Sequence, residues 1–155
     1  MRARIRYLLL PLVIVVLPRA GHAQATSGTG SAADRAAVRA AVLDYVDGFY
    51  EGDSTKHVRS VAPDVYKYGY SKRGEAYAGM QMTWAGFMSF DRGVREGRNR
   101  PPANAPKDVV LFDVNDQTAS AKLTAWWGID YLLLAKRSGR WMVTHVMWQS
   151  PPPKN

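Results

Sequence analysis

The sequence contains no cysteine. Disulfides, thiolate nucleophiles and zinc–thiolate sites are therefore excluded, and the stability of the fold has to come from packing. His57 and His145 are not spaced to share a helix face, so we expect no metal site. No phosphate-binding glycine loop or nucleophile elbow is present, and we expect no cofactor.

Long apolar runs are limited to one, which lies near the amino terminus at Tyr7–Leu17. Three arginines precede it, and a proline and small residues follow it. This order predicts a signal peptide over residues 1–25, cleaved after Ala23 or Ala25. Eleven apolar residues fall short of the ~20 that cross a membrane, so we expect no stable membrane anchor. The mature protein is expected to be secreted or periplasmic.

Acidic residues are fewer than basic ones, with 13 Asp and Glu against 21 Lys and Arg and a net charge of +8. The predicted signal peptide carries four arginines and no acid, so its removal lowers the charge from +8 to +4. A balance this small does not predict nucleic-acid binding.

The remaining chain predicts one domain over residues 34–150, between a disordered leader at 26–33 and a tail at 151–155. Apolar residues recur at helical period over Asp34–Glu51, a short helix is expected at Lys56–Val61, and Thr83 is expected to open a third helix. Strand-like alternation then predicts strands at Asp64–Tyr70, Asp108–Val114, Thr118–Ala125, Ile129–Lys136 and Trp141–Gln149. Segregated helices and strands predict an α+β fold, with helices on one face of a curved antiparallel sheet.

One predicted strand is apolar on both faces, at Leu132, Leu133 and Leu134. A sheet with one face in water should alternate more cleanly. A second subunit is therefore expected on the outer face, giving a homodimer. A local excess of apolar residues without a partner is the alternative.

Five segments of the sequence carry a family resemblance, namely Asp47–Asp53, Ala62–Val65, Ala119–Lys122, Asp130–Leu134 and Gly139–Trp141. Together they resemble the putative lumazine-binding family of the nuclear transport factor two-like (cystatin-like α+β) superfamily. The resemblance covers about Asp34 to Gln149 and implies a cone-shaped sheet around three helices, with a pocket at the open end. The superfamily includes isomerases, dehydratases, cyclases and non-catalytic binding domains. Many relatives carry His where this chain has Ala62, so no role of that His carries over.

Asp130 and His145 are the candidate catalytic pair. If Ser138 and Gly139 form a two-residue loop, Leu132 faces His145, and Asp130 becomes a diagonal neighbour of His145 on one face. A carboxylate beside an imidazole suits general acid–base catalysis, and a structural pair at the rim of the sheet is the alternative.

Aromatic residues are the candidate walls of a ligand pocket, because flat rings with a few polar tips suit a planar or apolar molecule. The candidates are Tyr45, Phe49, His57, Tyr66, Tyr68, Trp84, Met88, Trp126 and Trp148. The sequence thus favours an exported domain that binds a small aromatic or apolar molecule. The alternatives are a cofactor-independent isomerase, dehydratase or cyclase and a sheet-mediated interaction domain, so whether the protein is an enzyme stays open.

Overall fold

The computed structural model describes residues 28–151, and the predicted signal peptide and most of the predicted tail lie outside this part of the chain. The described elements, in chain order, are α1 (Ala32–Glu51), α2 (Ser54–Ser60), β1 (Val61–Arg73), β2 (Ala76–Met82), α3 (Trp84–Arg95), β3 (Asp108–Val114), β4 (Thr118–Ala125), β5 (Gly128–Arg137) and β6 (Arg140–Gln149). Between residues 28 and 151, no helix is long and apolar enough to cross a membrane.

Helix α1 begins at a capping box. The Ser31 hydroxyl accepts a hydrogen bond from the Asp34 amide at 3.0 Å, and the Asp34 carboxylate accepts one from the Ser31 amide at 3.4 Å. The helix ends at Gly52, whose φ of 70° is the left-handed conformation that glycine adopts most readily. The capping box and Gly52 thus set the length of the helix that supplies seven of the twenty buried residues of the described apolar core.

The segment before α1, part of the predicted leader at residues 26–33, contacts the end of β3 from Gly28 onward. The Gly30 amide donates to the Val114 carbonyl at 2.8 Å, and the Arg35 guanidinium donates to the Gly30 carbonyl at 2.5 Å. A Cβ on Gly30 would come within 2.7 Å of the same Val114 carbonyl oxygen. The absence of a side chain therefore lets this segment lie against the end of β3.

The six strands form one curled, unclosed sheet in the order β2-β1-β6-β5-β4-β3. Neighbouring strands are antiparallel except for β1 and β6, which are parallel. All three helices pack against one face of the sheet, which confirms the predicted α+β fold class. Strand β2 lies at one edge of the sheet and pairs with β1, so β1 lies inside the sheet.

The two faces of the sheet differ sharply in exposure. Leu132, Leu134 and Val146 are at most 2% exposed on the inner face, which packs against the helices, whereas Leu133 is 54% exposed on the outer face. Strand β5 therefore carries apolar side chains on both faces of the sheet, and those on the outer face are exposed in the single chain.

A bulge in β6 sets which side chains share the inner face. The hairpin loop is Ser138-Gly139 and Arg137 pairs with Arg140, as expected, but the register shifts at Thr144. Beyond the bulge each residue of β5 pairs one position further along β6 than the loop alone predicts. Such a shift moves every following side chain to the opposite face.

The predicted pairing of Asp130 with His145 on one face is therefore wrong. Leu133 pairs with His145, and Asp130 pairs with Trp148. Asp130 is fully buried on the inner face, whereas the His145 side chain is exposed on the outer face, where its Nδ1 lies 3.2 Å from the Thr144 hydroxyl. The two groups lie on opposite sides of the sheet.

Candidate functional site

A buried lysine lies at the centre of the inner face. Lys67 is 4% exposed in the middle of β1, on the same side of the strand as Val65 and Gly69. Its ammonium lies 4.6–5.5 Å from the centroids of four aromatic rings, those of Tyr45, Phe49, Phe87 and Trp127. Aromatic faces attract cations at this distance, and more strongly when water is excluded.

One side chain, Tyr45, connects Lys67 to a buried carboxylate. Lys67 Nζ donates to the Tyr45 hydroxyl at 2.6 Å, and that hydroxyl donates to Asp130 Oδ2 at 2.6 Å. The other carboxylate oxygen, Oδ1, accepts from the Trp127 indole at 2.8 Å. Lys67 Nζ is also 3.7 Å from Asp130 Oδ2. The lysine and the aspartate thus balance each other's charge through a direct ion pair and a tyrosine bridge.

Burial shifts the proton affinity of this cluster. Loss of solvation lowers the pKa of the Lys67 ammonium, and the nearby charge of Asp130 only partly opposes that effect. Burial, followed by the charge of Asp130, raises the pKa of the Tyr45 phenol well above its ordinary value. Tyr45 therefore keeps its proton at neutral pH and can bridge the two charged groups by hydrogen bonds.

Lys67 also forms part of the wall of a cavity of about 250 Å³. Of the eight described residues that line this cavity, seven are aromatic residues or methionines, and Lys67 is the charged one. The seven are Phe49, Met80, Met82, Phe90, Trp126, Trp127 and Trp148. Met80 is 41% exposed and Trp126 is 37% exposed, so these two side chains mark the side that opens to solvent.

Each element contributes to the cavity for a local reason. Met80 and Met82 face inward because they pair with Gly69 and Lys67 across β1 and β2. Trp126 and Trp127 form the two-residue turn between β4 and β5, which the pairing of Ala125 with Gly128 closes. That turn places both indoles at the end of the sheet where the cavity opens.

A glycine in β1 makes room for the last wall. Trp148 pairs with Gly69 across the parallel strands, and a Cβ on Gly69 would overlap the indole. The indole therefore lies directly on the β1 backbone. Its Nε1–H is buried without a hydrogen-bond partner among the described residues. An unpaired buried donor costs about 1–3 kcal/mol and favours any molecule that supplies an acceptor.

His57 belongs to the core and not to the cavity wall, contrary to the prediction. It is fully buried, its Nε2 lies 3.0 Å from the Tyr45 carbonyl, and its Nδ1 lies 2.8 Å from Asp91 Oδ2. A carbonyl can only accept, so Nε2 carries hydrogen. A Cβ on Gly48 would come within 2.5 Å of the same nitrogen. The histidine therefore ties the three helices together.

The other predicted pocket residues divide into two groups. Phe49, Trp126 and Trp148 line the cavity, and Tyr45 reaches it through its hydroxyl contact with Lys67. The remaining four do not line it: Tyr66 and Tyr68 lie on the outer side of β1, and Trp84 and Met88 pack against the apolar core. The two tyrosines were expected to line the pocket because they are aromatic, but the opposite side of the strand is the buried one.

Lys67 was missed for the same reason. The alternation of Val65, Lys67 and Gly69 was visible in the sequence, but aromatic residues on the other parity suggested the inner face. A lysine between a valine and a glycine on one side of a strand is the feature that could have marked a buried charge. Within residues 28–151, no group of three or more His, Asp or Glu side chains is placed to hold a metal ion.

Solved structures define the class of the fold. A nuclear transport factor two-like protein of unknown function from Shewanella baltica OS155 is 18% identical, with a TM-score of 0.60 over 81% of this chain and 100% of its own. A second such protein, from Methylobacillus flagellatus KT, is 16% identical, with a TM-score of 0.60 over 83% and 100%. A protein with a cystatin-like fold from Nostoc punctiforme PCC 73102 is 12% identical, with a TM-score of 0.56 over 79% and 94%. The chain therefore has the nuclear transport factor two-like fold.

The family follows from the sequence itself. The model of the putative lumazine-binding family matches residues 33–149, nearly the whole described chain. The protein belongs to that family, as the motifs in its sequence predicted. None of the curated proteins is similar enough in sequence to count as a relative.

Proposed function

We propose that the protein binds one small, planar, largely apolar molecule in the cavity beside Lys67. The observation that carries this proposal is the composition of the wall, in which aromatic rings and methionines surround one charged residue, Lys67. Ligand sites typically combine an apolar lining with a few placed polar groups. Family membership and the fold support a small-molecule-binding domain.

Charge and size narrow the class of ligand. Lys67 and Asp130 already neutralise each other, so an anionic ligand would leave a buried negative charge uncompensated. A neutral molecule with a carbonyl or ring-nitrogen acceptor fits better, because the charged group of the wall, the Lys67 ammonium, is a donor. A volume near 250 Å³ suits one or two fused rings. Lumazine, the compound in the family's name, is a neutral two-ring heterocycle with carbonyl oxygens and is the natural first probe.

A matched pair of methionine variants tests the proposal. Met80 is 41% exposed at the cavity and Met147 is 49% exposed on the outer face, so the same substitution at each separates cavity filling from added apolar surface. We expect lumazine to quench the tryptophan fluorescence of the wild type saturably. Met80→Trp should lose at least about tenfold in affinity, equivalent to about 1.4 kcal/mol, whereas Met147→Trp should bind as the wild type does. Equal affinities in both variants would exclude this cavity.

The outer face of the sheet supports a second proposal, the homodimer. Tyr66, Tyr131, Leu133 and Met147 are 46% or more exposed on that face. A contiguous apolar surface of this kind is typical of an interface rather than of a surface in water. A second copy of the chain, docked through the outer face, would cover these side chains. Sedimentation equilibrium at micromolar concentration tests this, and a monomer would contradict it.

Export remains a proposal drawn from residues 1–25. The charged start, apolar run and small residues support removal of this segment during secretion. The mass of the protein recovered from the periplasm or medium should equal that of a chain beginning at Gln24 or Thr26. Recovery of the full-length chain from the cytoplasm alone would contradict export.

A further inference from the structure

The arrangement around Lys67 has a use beyond holding a ligand. Its Nζ lies in the cavity wall, and the Tyr45 hydroxyl joins it to Asp130 in a chain with two steps of 2.6 Å. Both steps are short enough for proton transfer between hydrogen-bonded groups. The chain therefore offers a route by which the ammonium can pass a proton to the carboxylate without water.

We propose that Lys67 is a carbonyl-reactive amine that forms an imine with an aldehyde or ketone bound in the aromatic cavity. This inference rests on the proposed function, because the carbonyl compound has to enter the same cavity. It goes further in giving the cavity a covalent chemistry and in restricting the ligand to molecules with a reactive carbonyl carbon.

The environment of Lys67 favours the reactive form. A lysine is nucleophilic only when neutral, and burial in an apolar site is one of the ways in which proteins obtain a neutral lysine. Burial lowers the pKa of Lys67 here. The rings of Phe49 and Trp127 act in the other direction, because they attract the cation. The neutral amine is therefore a minor form that a bound carbonyl compound draws on.

The proposed reaction balances with the groups present. Lys67 gives one proton to Tyr45, which passes its own proton to Asp130. The neutral amine then attacks the carbonyl carbon, a C–N bond forms, and the carbonyl π electrons go to the oxygen. The nitrogen lone pair next forms the C=N bond as the C–O bond breaks, and the oxygen leaves as water with the two amine hydrogens. Asp130 returns its proton through Tyr45 to the imine nitrogen, so the product is an iminium paired with a carboxylate.

Reductive trapping tests this assignment. The mature protein is incubated with benzaldehyde and cyanoborohydride near pH 7, and the labelled lysines are mapped by peptide mass spectrometry. Lys72 lies on the same strand and serves as the internal control. Because the cavity holds the aldehyde beside Lys67, and held reactants react faster than free ones, we expect Lys67 to be labelled at least about tenfold faster than Lys72. Labelling at Lys67 no faster than at Lys72 would overturn the proposal.

Three variants separate chemistry from folding. Lys67→Arg keeps the charge and should lose the fast label, whereas the matched Lys72→Arg should keep it. Met80→Trp leaves Lys67 in place and should slow its labelling by closing the cavity. Tyr45→Phe keeps the ring but removes the hydroxyl that joins Lys67 to Asp130, so it should slow trapping. Trapping at an unchanged rate in Tyr45→Phe would show that the reaction does not use the proton route through Tyr45.

Lumazine binding, measured in the same samples, distinguishes the two proposals. If lumazine binds in a manner sensitive to Met80→Trp and Lys67 is not trapped, the cavity is a binding site and only the imine is refuted. If neither binding nor trapping occurs, both proposals fail. Trapping at Lys67 that Met80→Trp abolishes supports both.

Discussion

Replacing Asp130 with Asn would leave Lys67 as a buried charge without a counter-ion. The folded variant then either keeps the ammonium unpaired or releases its proton. Because the less costly state prevails, the cost of releasing the proton is the upper limit of the loss in unfolding free energy. An ordinary lysine has a pKa of about 10.4, and each pKa unit corresponds to about 1.36 kcal/mol. Releasing the proton at pH 7 therefore costs about 4.6 kcal/mol. Removing one partner of a buried ion pair costs about 3–5 kcal/mol. We therefore expect Asp130→Asn to lose about 3–5 kcal/mol of unfolding free energy at pH 7.

The loss should shrink as the pH rises. In the variant, the unfolded chain keeps the Lys67 proton up to about pH 10.4, whereas the folded chain has released it. The unfolded state thus binds more protons, so the stability of the variant increases with pH. The difference in unfolding free energy between Asp130→Asn and the wild type should narrow by up to about 1.4 kcal/mol per pH unit, which leaves about 2 kcal/mol at pH 9.

Urea unfolding at pH 7, 8 and 9 measures this difference directly. The double variant Lys67→Met with Asp130→Asn carries neither charge and should show a difference from the wild type that is nearly independent of pH. Asp116→Asn, in the exposed turn before β4, should stay within about 0.5 kcal/mol of the wild type. A deficit in Asp130→Asn that is constant between pH 7 and 9 would refute the reasoning, because Lys67 would then not be the unbalanced group.

Three further changes test other parts of the structure. Gly69→Ala should displace the Trp148 indole from β1, lowering the melting temperature and shifting the tryptophan emission to longer wavelength; an unchanged spectrum would contradict the contact. Hydrogen bonding to Lys136 is the largest cause of the lowered pKa of Asp34, so Asp34→Asn should be less stable than the wild type at neutral pH. That stability difference should disappear as the pH drops below the ordinary Asp pKa near 3.9. A stability difference that persists at low pH would show that the charge of Asp34 is not its cause. Leu133→Lys should give a folded monomer by sedimentation; a folded dimer would place the interface elsewhere.

The helices were readable from the sequence because their signals are local. Ser31 and Asp34 form the cap that begins α1, Gly52 ends it, and Thr83 caps α3. Each of these depends on residues within one turn of the chain. The hairpin loop at Ser138 and Gly139 was predicted for the same reason.

The candidate site was only partly readable because it depends on register and on the choice of face. The bulge at Thr144 leaves no clear mark in the sequence, yet it alone separates His145 from Asp130. Alternation in β1 divided the residues correctly into two sets, but it does not say which set faces the helices. Local pattern therefore located five of the six described strands, and tertiary packing determined that Lys67, and not the tyrosines, points into the cavity.

Native mass spectrometry of the purified protein tests the central claim, a ligand site beside Lys67, most directly. The wild type, purified without added ligand or after exposure to lumazine, should carry one non-covalently bound small molecule per chain. Met147→Trp should retain it and Met80→Trp should lose it. A wild-type chain that takes up no molecule, or a molecule that stays bound in Met80→Trp, would contradict the account.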